Sequence, residues 1–284
     1  MAAQAASGPV RVALIGATGR MGQAVVRAAP AFPRLRITAA VASATSASLG
    51  RDAGELAGVG SLGVAIGSDL PRALSEADVA IDFSSPAGTR ANLLACRASR
   101  KPLLLCTTGF AAALEEDFSA AARDIALLVA ANTSLAVTVL VELVRSAARS
   151  LPGSFDIDIL DAHHRTKRDA PSGTALTLAA AAREARPERR GTTTVSAAST
   201  VPAGTASRGA RPEGEIGFAA VRAGDIVGEH TVLFSGPGEQ LSLTHRASDR
   251  AIFARGALAA ALWLQQRPPG RYSMSDVVGV KTTT

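Results

Sequence analysis

Fourteen consecutive residues carry most of the reactive side chains of this chain: Asp161-Ala162-His163-His164-Arg165-Thr166-Lys167-Arg168-Asp169-Ala170-Pro171-Ser172-Gly173-Thr174. Histidine and lysine are proton carriers whose behaviour near neutral pH is set by their surroundings. Arg165, Lys167 and Arg168 gather positive charge around them. Ser172 stands where a helix cap is expected, and a helix N-terminus favours anions. Cations facing such an N-terminus suit a small carboxylate-bearing substrate. A plain solvated loop would show the same residue types, so the rest of the chain has to decide. A metal centre is not expected here. The two adjacent histidines diverge, their spacing fits no zinc pattern and no cysteine lies near.

The flanking residues place this stretch. Phe155-Asp156-Ile157-Asp158-Ile159-Leu160 alternates apolar and polar, which predicts a strand. Pro171-Ser172-Gly173-Thr174 opens an Ala/Leu-rich run ended by Pro187, which predicts a helix. The histidines and Lys167 therefore sit on a strand-to-helix loop.

With 284 residues the chain is long enough for about two domains. Its 47% apolar and 19% charged residues are those of an ordinary globular protein, and no apolar run reaches the length of a membrane span. Met1 to Pro9 lacks the basic and apolar regions of a signal peptide. Two cysteines, Cys96 and Cys106, argue for a reducing, cytoplasmic setting without a disulfide framework. The net charge of +6 is dispersed and aromatics are scarce, which weakens a case for base stacking, but such a basic balance fits an anionic small ligand as well as it fits nucleic acid. Weighed with the motifs that follow, no nucleic-acid or membrane partner is expected.

Near the N-terminus, Val10 to Ile15 is a short β-type run. It leads into Gly16-Ala17-Thr18-Gly19-Arg20-Met21-Gly22 and then a helix ended by Pro30. Strand, glycine-rich turn and helix in this order open a dinucleotide-binding unit, where glycine lets the backbone approach a pyrophosphate. The next strand, Leu35 to Val41, ends in Ala42-Ser43 with no acid before Asp52. An acid at that point binds the ribose hydroxyls of NAD, and its absence removes repulsion against a 2′-phosphate. Asp52 to Gly63 reads as loop. Apolar strands then alternate with helices, which indicates a parallel sheet covered on both faces. Ser84, Thr107, Thr108 and Asn132 fall at the strand ends, where such folds bind ligands.

After a long helix from Ser134 to Ser150 the pattern changes. Gly191 to Arg211 has no periodicity and reads as a long connection. Strands are expected at Ile216 to Arg222, Thr231 to Phe234 and Gln240 to His245, joined by glycine turns and so paired antiparallel. A final helix, Arg250 to Gln266, offers Ile252, Phe253, Leu258, Leu262 and Trp263 to the core and packs back on the first domain. The expected fold is α/β: a Rossmann-type dinucleotide-binding domain, residues 1–133 plus 249–284, with a second α+β domain, residues 134–248, for substrate and oligomerisation.

Assembled, these motifs resemble the 4-hydroxy-tetrahydrodipicolinate reductase (dihydrodipicolinate reductase) family. The resemblance spans almost the whole chain. It rests on the glycine loop, Asp52-Ala53-Gly54-Glu55-Leu56, Ile81-Asp82-Phe83, Thr107-Thr108-Gly109-Phe110, the run from His163 to Thr174, and Gly217-Phe218-Ala219 through His230. The His-His-x-x-Lys-x-Asp-x-Pro-Ser-Gly-Thr run is the most specific of these. The resemblance implies NADPH- or NADH-dependent reduction of a cyclic imine-type dicarboxylate to tetrahydrodipicolinate, in the diaminopimelate route to lysine. It places the catalytic histidine at His163 and the proton-donating lysine at Lys167. Substrate contacts fall on His164, Gly173 and Thr174. Cofactor contacts fall on Gly16, Ala17, Thr18, Gly19, Arg20 and Met21, on Cys106, Thr107 and Thr108, and on Ala130, Ala131, Asn132 and Thr133. Apart from the resemblance, Ser43 at the end of the second strand is a candidate donor to a 2′-phosphate, with no arginine beside it to clamp that group. It also implies a homotetramer built through the second domain's sheet, and two domains that close around the ligands.

Lys167 must hold its proton for this role, and neighbouring carboxylates would help it do so. Proton transfer and orientation both stay open for His163. The chain departs from the family pattern in three places: Ala42-Ser43 replaces a Glu-Arg pair, Cys106 replaces a glycine, and Thr133 stands where an aromatic often follows the asparagine. A related reductase of another small carboxylated imine or aldehyde, and a non-catalytic dinucleotide sensor, are the alternatives. Retention of both His163 and Lys167 argues against the sensor.

Overall fold

The computed structural model describes residues 8–110, 114–186 and 214–280. They form two units: one from the N-terminal part up to Leu135 together with Ala251 onward, the other from Ala136 to Arg250. The expected connection from Gly191 to Arg211 lies outside the described residues.

The first unit is a seven-stranded parallel sheet. Its strands are β1 (Val10–Ile15), β2 (Leu35–Val41), β3 (Ile66–Gly67), β4 (Val79–Asp82), β5 (Leu103–Leu105), β6 (Ala126–Val129) and β11 (Gly270–Tyr272). The order is β11-β6-β5-β4-β1-β2-β3. Strands β1, β4 and β5 are buried almost throughout because helices cover both faces. The helices are α1 (Arg20–Ala28), α2 (Ala53–Ala57), α3 (Leu70–Ser75), α4 (Thr89–Ala98), α5 (Glu115–Ala122), α8 (Ala251–Leu264) and α9 (Met274–Val278). On one face Val12, Leu14, Val25 and Val26 pack with Ala257, Leu258 and Ala261 of α8; on the other Ala13, Ile15, Leu93, Leu103 and Phe118 form a second core layer.

Two expectations change in this unit. The glycine-rich segment after Asp52 contains α2, because Asp52 caps it: its carboxylate accepts from the N–H groups of Gly54 at 2.8 Å and Glu55 at 3.1 Å. The same carboxylate accepts from Leu62 and Val64, each at 3.0 Å, so one side chain organises the whole segment. In α8 the buried face is made of small residues, Ala254, Gly256, Ala257, Ala260 and Ala261 with Leu258 and Leu264, while Ile252, Phe253, Leu262 and Trp263 lie at its margin. Close approach explains this. A Cβ on Gly256 would stand 1.7 Å from the carbonyl oxygen of Thr133.

The second unit is a four-stranded mixed sheet with α6 (Leu135–Ser150) and α7 (Gly173–Glu184). Its strands are β7 (Asp156–His163), β8 (Ile216–Arg222), β9 (Gly228–Gly236) and β10 (Glu239–Ala247), in the order β10-β9-β7-β8. The glycine turn between β9 and β10 makes an antiparallel pair, as expected. The turn between β8 and β9 does not. Strand β7 lies between them, parallel to β8 and antiparallel to β9. The segment after β8 therefore crosses the end of β7, where Ala223 N–H donates to His163 O at 2.9 Å and Arg165 N–H to Gly224 O at 3.2 Å. Ile157 and Ile159 of β7 pack inward with Leu178, Ala182, Phe218, Val232 and Phe234.

Candidate active site

The glycine loop follows β1 at the carboxyl edge of the parallel sheet. Gly16 has φ of 80°, a left-handed conformation that suits glycine. A Cβ there would stand 2.6 Å from Phe83 O, and one on Gly22 would stand 2.3 Å from Gly16 O. The loop is thus pressed between the end of β4 and the start of α1 with no room for side chains. The N–H groups of Gly16 and Ala17 donate to Val41 O at 2.9 and 3.0 Å, and Gly19 N–H turns back to Gly16 O at 3.1 Å. The first helical N–H groups, those of Arg20 and Met21, precede the helix's own hydrogen-bond ladder, and α1 carries no acid in its first turn. Such a helix start receives a phosphate. Thr18 takes part through its carbonyl, which accepts from Gln23 Nε2 at 3.0 Å.

The other predicted cofactor residues line up along the same edge. Ser43 follows β2 and is exposed, its hydroxyl 2.9 Å from that of Thr45. Ala42 beside it is buried against the core. Cys106, Thr107 and Thr108 follow β5, and Ala130, Ala131, Asn132 and Thr133 follow β6. Only part of these side chains faces outward. Cys106 packs into the core, where burial pushes its thiol well above its ordinary range, so the bulk that replaces glycine is directed inward. Thr107 is buried and donates to Asp82 Oδ1 at 3.3 Å. Thr133 is buried and donates to Phe253 O of α8 at 2.6 Å. The side chains of these three are turned inward, whereas Thr108 and Ala131 are exposed.

Asp82 belongs to the Ile81-Asp82-Phe83 motif, but its sequence context assigns it no role. It is fully buried at the end of β4. Its carboxylate accepts from Ser84 N–H at 2.7 Å and Asn92 Nδ2 at 2.9 Å as well as from Thr107. One buried charge thereby ties the loops after β4 and β5 together.

In the second unit the inward parity of β7 runs Phe155, Ile157, Ile159, Asp161, His163, so the strand's inner face turns polar at its carboxyl end. His163 is the last residue of β7, paired with Arg222, and not on the loop as expected. Asp161 is 1% exposed and His230 of β9 is 4% exposed, which puts ionisable groups inside the fold. Asp161 Oδ1 lies 3.0 Å from His163 Nδ1 and 3.3 Å from His230 Nε2. Its Oδ2 accepts from Arg222 Nη2 at 3.0 Å and from Ser172 N–H at 2.8 Å. Those partners hold the Asp161 carboxyl well below the usual range despite its burial. Asp161, His163 and His230 also group as a cation's ligands would. The Arg222 guanidinium on the same carboxylate already supplies the positive charge and opposes a second cation.

Burial lowers His163 from its ordinary 6.5 to about 4, against the pull of Asp161 and with the push of His230, Lys167 and Arg222. The ring is therefore neutral at pH 7. A folded-state value below the unfolded one gives stability that is complete above about pH 6.5 and is lost as pH falls toward 4, because the unfolded chain then takes up a proton that the folded chain refuses. The loss amounts to roughly 3 kcal/mol. Urea unfolding at pH 7.5 and 4.5 will show this drop in the wild type and a smaller one in His163→Gln. Equal drops would mean the ring is not held neutral.

Lys167 Nζ lies 2.8 Å from Asp169 Oδ2, the carboxylate neighbour it was expected to need. His164 places Nδ1 2.7 Å from Thr166 Oγ1 and Nε2 3.2 Å from Arg250 Nη2. Arginine only donates, so Nε2 is the acceptor in that contact. Ser172 caps α7 by accepting from Ala175 N–H at 3.2 Å, and Gly173 and Thr174 form the first turn. His163, His164, Lys167, Gly173 and Thr174 are thus gathered at one end of the second unit. Arg222, His230 and Arg250 join them from distant parts of the chain. Only the inward parity of Asp161 and His230 in otherwise apolar strands signals that group in the sequence.

A parallel sheet with a glycine-loop phosphate site, joined to a mixed sheet whose end carries a lysine, buried histidines and a helix start, defines a two-domain nicotinamide-dependent oxidoreductase. The residues fit the dinucleotide: the cradle at Gly16 and Gly22 has no space for a Cβ, and the start of α1 offers its N–H groups.

The chain belongs to the dihydrodipicolinate reductase family, whose N-terminal model ("Dihydrodipicolinate reductase, N-terminus") matches residues 10–133 and whose C-terminal model ("Dihydrodipicolinate reductase, C-terminus") matches residues 136–278. It is 45% identical over 269 residues to the 4-hydroxy-tetrahydrodipicolinate reductase of Halorhodospira halophila, covering 95% of this chain and 98% of that one. It is 46% identical to the enzyme of the same name from Alkalilimnicola ehrlichii, covering 95% and 99%. Among solved structures, the dipicolinate-bound dihydrodipicolinate reductase from Paenisporosarcina sp. TG-14 superposes with a TM-score of 0.74 at 23% identity, covering 93% of this chain and 97% of that one. An amine dehydrogenase from Mycobacterium smegmatis shares the fold with a TM-score of 0.63 at 14% identity over 94% and 96% of the two chains.

Proposed function

We infer that this chain reduces 4-hydroxy-tetrahydrodipicolinate to tetrahydrodipicolinate with NADPH or NADH, in the diaminopimelate route to lysine. The observation that carries the reading is the placement of the neutral His163 at the end of β7 and of Lys167 on the loop that leads from it to α7, with His164 and Arg250. Per turnover one hydride and one proton enter the substrate and one water leaves. Bound reduced nicotinamide supplies the hydride. The chain supplies the rest. Gly173 and Thr174 at the start of α7, with His164 and Arg250, receive the substrate's carboxylates, because a helix N-terminus and cations offset two negative charges. The Lys167 ammonium, ion-paired with Asp169, donates the proton as electron density builds on the conjugated imine. His163, neutral with its Nδ1 against a carboxylate, orients and accepts; it has no proton to give from its other nitrogen. Residues 1–133 with 249–284 are assigned to the cofactor and 134–248 to substrate and assembly. Calorimetry of dipicolinate binding to the NADPH-loaded enzyme tests the site. Binding weakened strongly in His164→Ala supports it, and binding indifferent to His164 refutes it.

The Ala42-Ser43 pair supports a preference for NADPH, since no carboxylate stands at the end of β2. Ser43 is the exposed position of the two, so Ser43→Glu places a charge there without burying it. That variant will lower kcat/KM for NADPH relative to NADH by about tenfold, the scale of one unscreened like-charge contact. Unchanged selectivity would mean that another position discriminates.

Among the described residues no helix is long and apolar enough to cross a membrane. Free, buried Cys96 and Cys106 support a reducing, cytoplasmic setting. A homotetramer assembled through the second sheet is supported by its outer face, where Leu160 and Val221 are 38% and 48% exposed, and by its open edge strands β8 and β10. Light scattering at the mass of one chain would refute it.

A further inference from the structure

We propose that Asp161 is a positioning residue for the reaction: it fixes the ring of His163 with its proton on Nδ1 and ties the start of α7 to the end of β7. The proposal rests on the catalytic assignment of His163 and Lys167 above.

The two oxygens of Asp161 have separate tasks. Oδ1 faces the histidines, at 3.0 Å from His163 Nδ1 and 3.3 Å from His230 Nε2. A carboxylate oxygen has lone pairs only. Neither contact has the alignment of a hydrogen bond, so the preference is electrostatic: with the proton on Nε2, the bare Nδ1 would hold its negative end 3.0 Å from a carboxylate oxygen inside the protein. The carboxylate therefore selects the Nδ1–H form and leaves Nε2 as the acceptor. Nε2 points toward Gly228, where a Cβ would lie 3.1 Å away, so the missing side chain keeps that edge of the ring uncrowded.

Oδ2 holds the loop. It accepts from the backbone N–H of Ser172, eleven positions along the chain, at 2.8 Å. That bond closes the stretch containing His163, His164 and Lys167 into a ring fastened at both ends. Arg222 fastens it again, donating to Asp161 Oδ2 and Asp161 O, each at 3.0 Å, and to Asp169 O at 2.7 Å. Ser172 Oγ completes the knot at 3.1 Å from His230 Nε2 while it caps α7. His163, the lysine loop and the helix start that receives the substrate are therefore positioned by one buried carboxylate. A shift in it moves all three, and displacement of about 1 Å at such a site costs on the order of a hundredfold in rate.

The test combines spectroscopy with kinetics on the full-length protein. Long-range 1H–15N correlation on histidine-labelled wild type at pH 7, with His163 assigned from His163→Gln, will show a neutral His163 ring protonated on Nδ1. In Asp161→Asn the tautomer is no longer enforced. Its kcat falls by about a hundredfold and its substrate KM rises, with NADPH affinity unchanged. Asp161→Glu keeps the charge and recovers most of kcat. A wild-type His163 protonated on Nε2 or doubly protonated overturns the proposal, as does an Asp161→Asn enzyme turning over near the wild-type rate. If Asp161→Asn fails to fold, the wild-type tautomer and Asp161→Glu decide: a folded Asp161→Glu with the Nε2 tautomer refutes it. A wild type with the Nδ1 tautomer and no turnover would count against the proposed reaction and leave the positioning role of Asp161 in place.

Discussion

Lys167→Ala lowers kcat by about 10²- to 10⁴-fold, the range of a lost general acid. NADPH binding stays nearly unchanged, because the glycine loop and the strand ends proposed for the nucleotide belong to the first unit and Lys167 to the second. The loss is large because nothing nearby substitutes for the ammonium. His163 is neutral at working pH. The Arg165, Arg168, Arg222 and Arg250 side chains hold their protons too tightly to give them up. Asp169, paired with Lys167 at 2.8 Å, is pulled below its ordinary range and is ionised. Steady-state kinetics with saturating nucleotide and fluorescence titration of NADPH separate the two effects. Near-wild-type turnover would remove Lys167 from the mechanism.

Gly16→Ala removes most of the affinity for NADPH and destabilises the first unit by about 2–5 kcal/mol, combining the cost of left-handed backbone with that of overpacking. Both components come from the structure: φ is 80° and the added Cβ would meet Phe83 O at 2.6 Å. Relief requires the loop to move off the end of β4, which displaces the start of α1. Gly50 provides the internal control. Its φ is 79° with nothing within 4 Å of an added Cβ. Gly50→Ala therefore bears only the backbone cost, about 1–2 kcal/mol, and leaves NADPH binding intact. Thermal unfolding and nucleotide titration of the two variants read the difference. Equal affinities would show that contact with Phe83 does not shape the phosphate site.

What was legible in the sequence was what is local. Strand β1, the glycine loop and α1 announce themselves within twenty residues, and the Ser172 cap and α7 within fifteen. The apolar runs of β4, β5 and β6 indicate a parallel sheet because only a doubly covered strand needs no polar face. What was missed depends on distant partners. Strand β11 has three residues and exists through its pairing with β6. The order of β8 and β9 is set by their separate pairings to β7, where the glycine turn between them suggested direct contact. Helix α2 is short and owes its start to one aspartate. At the site, His163, His164 and Lys167 were found by spacing and resemblance. Asp161 and His230 were readable as polar residues on inward positions of apolar strands. Asp82, Arg222 and Arg250 had no such signal, since an isolated aspartate or arginine gives no sign of which carbonyl, carboxylate or ring it will meet.

The central claim is that this chain reduces 4-hydroxy-tetrahydrodipicolinate, and the most direct measurement is loss of reduced-nicotinamide absorbance with that substrate made in situ. An added synthase supplies it from pyruvate and aspartate semialdehyde, with NADPH and NADH run in parallel. Oxidation that requires the synthase, is faster with NADPH and disappears in Lys167→Ala is the predicted result. Folded protein that binds either nucleotide and oxidises neither in the presence of the synthase product would contradict it.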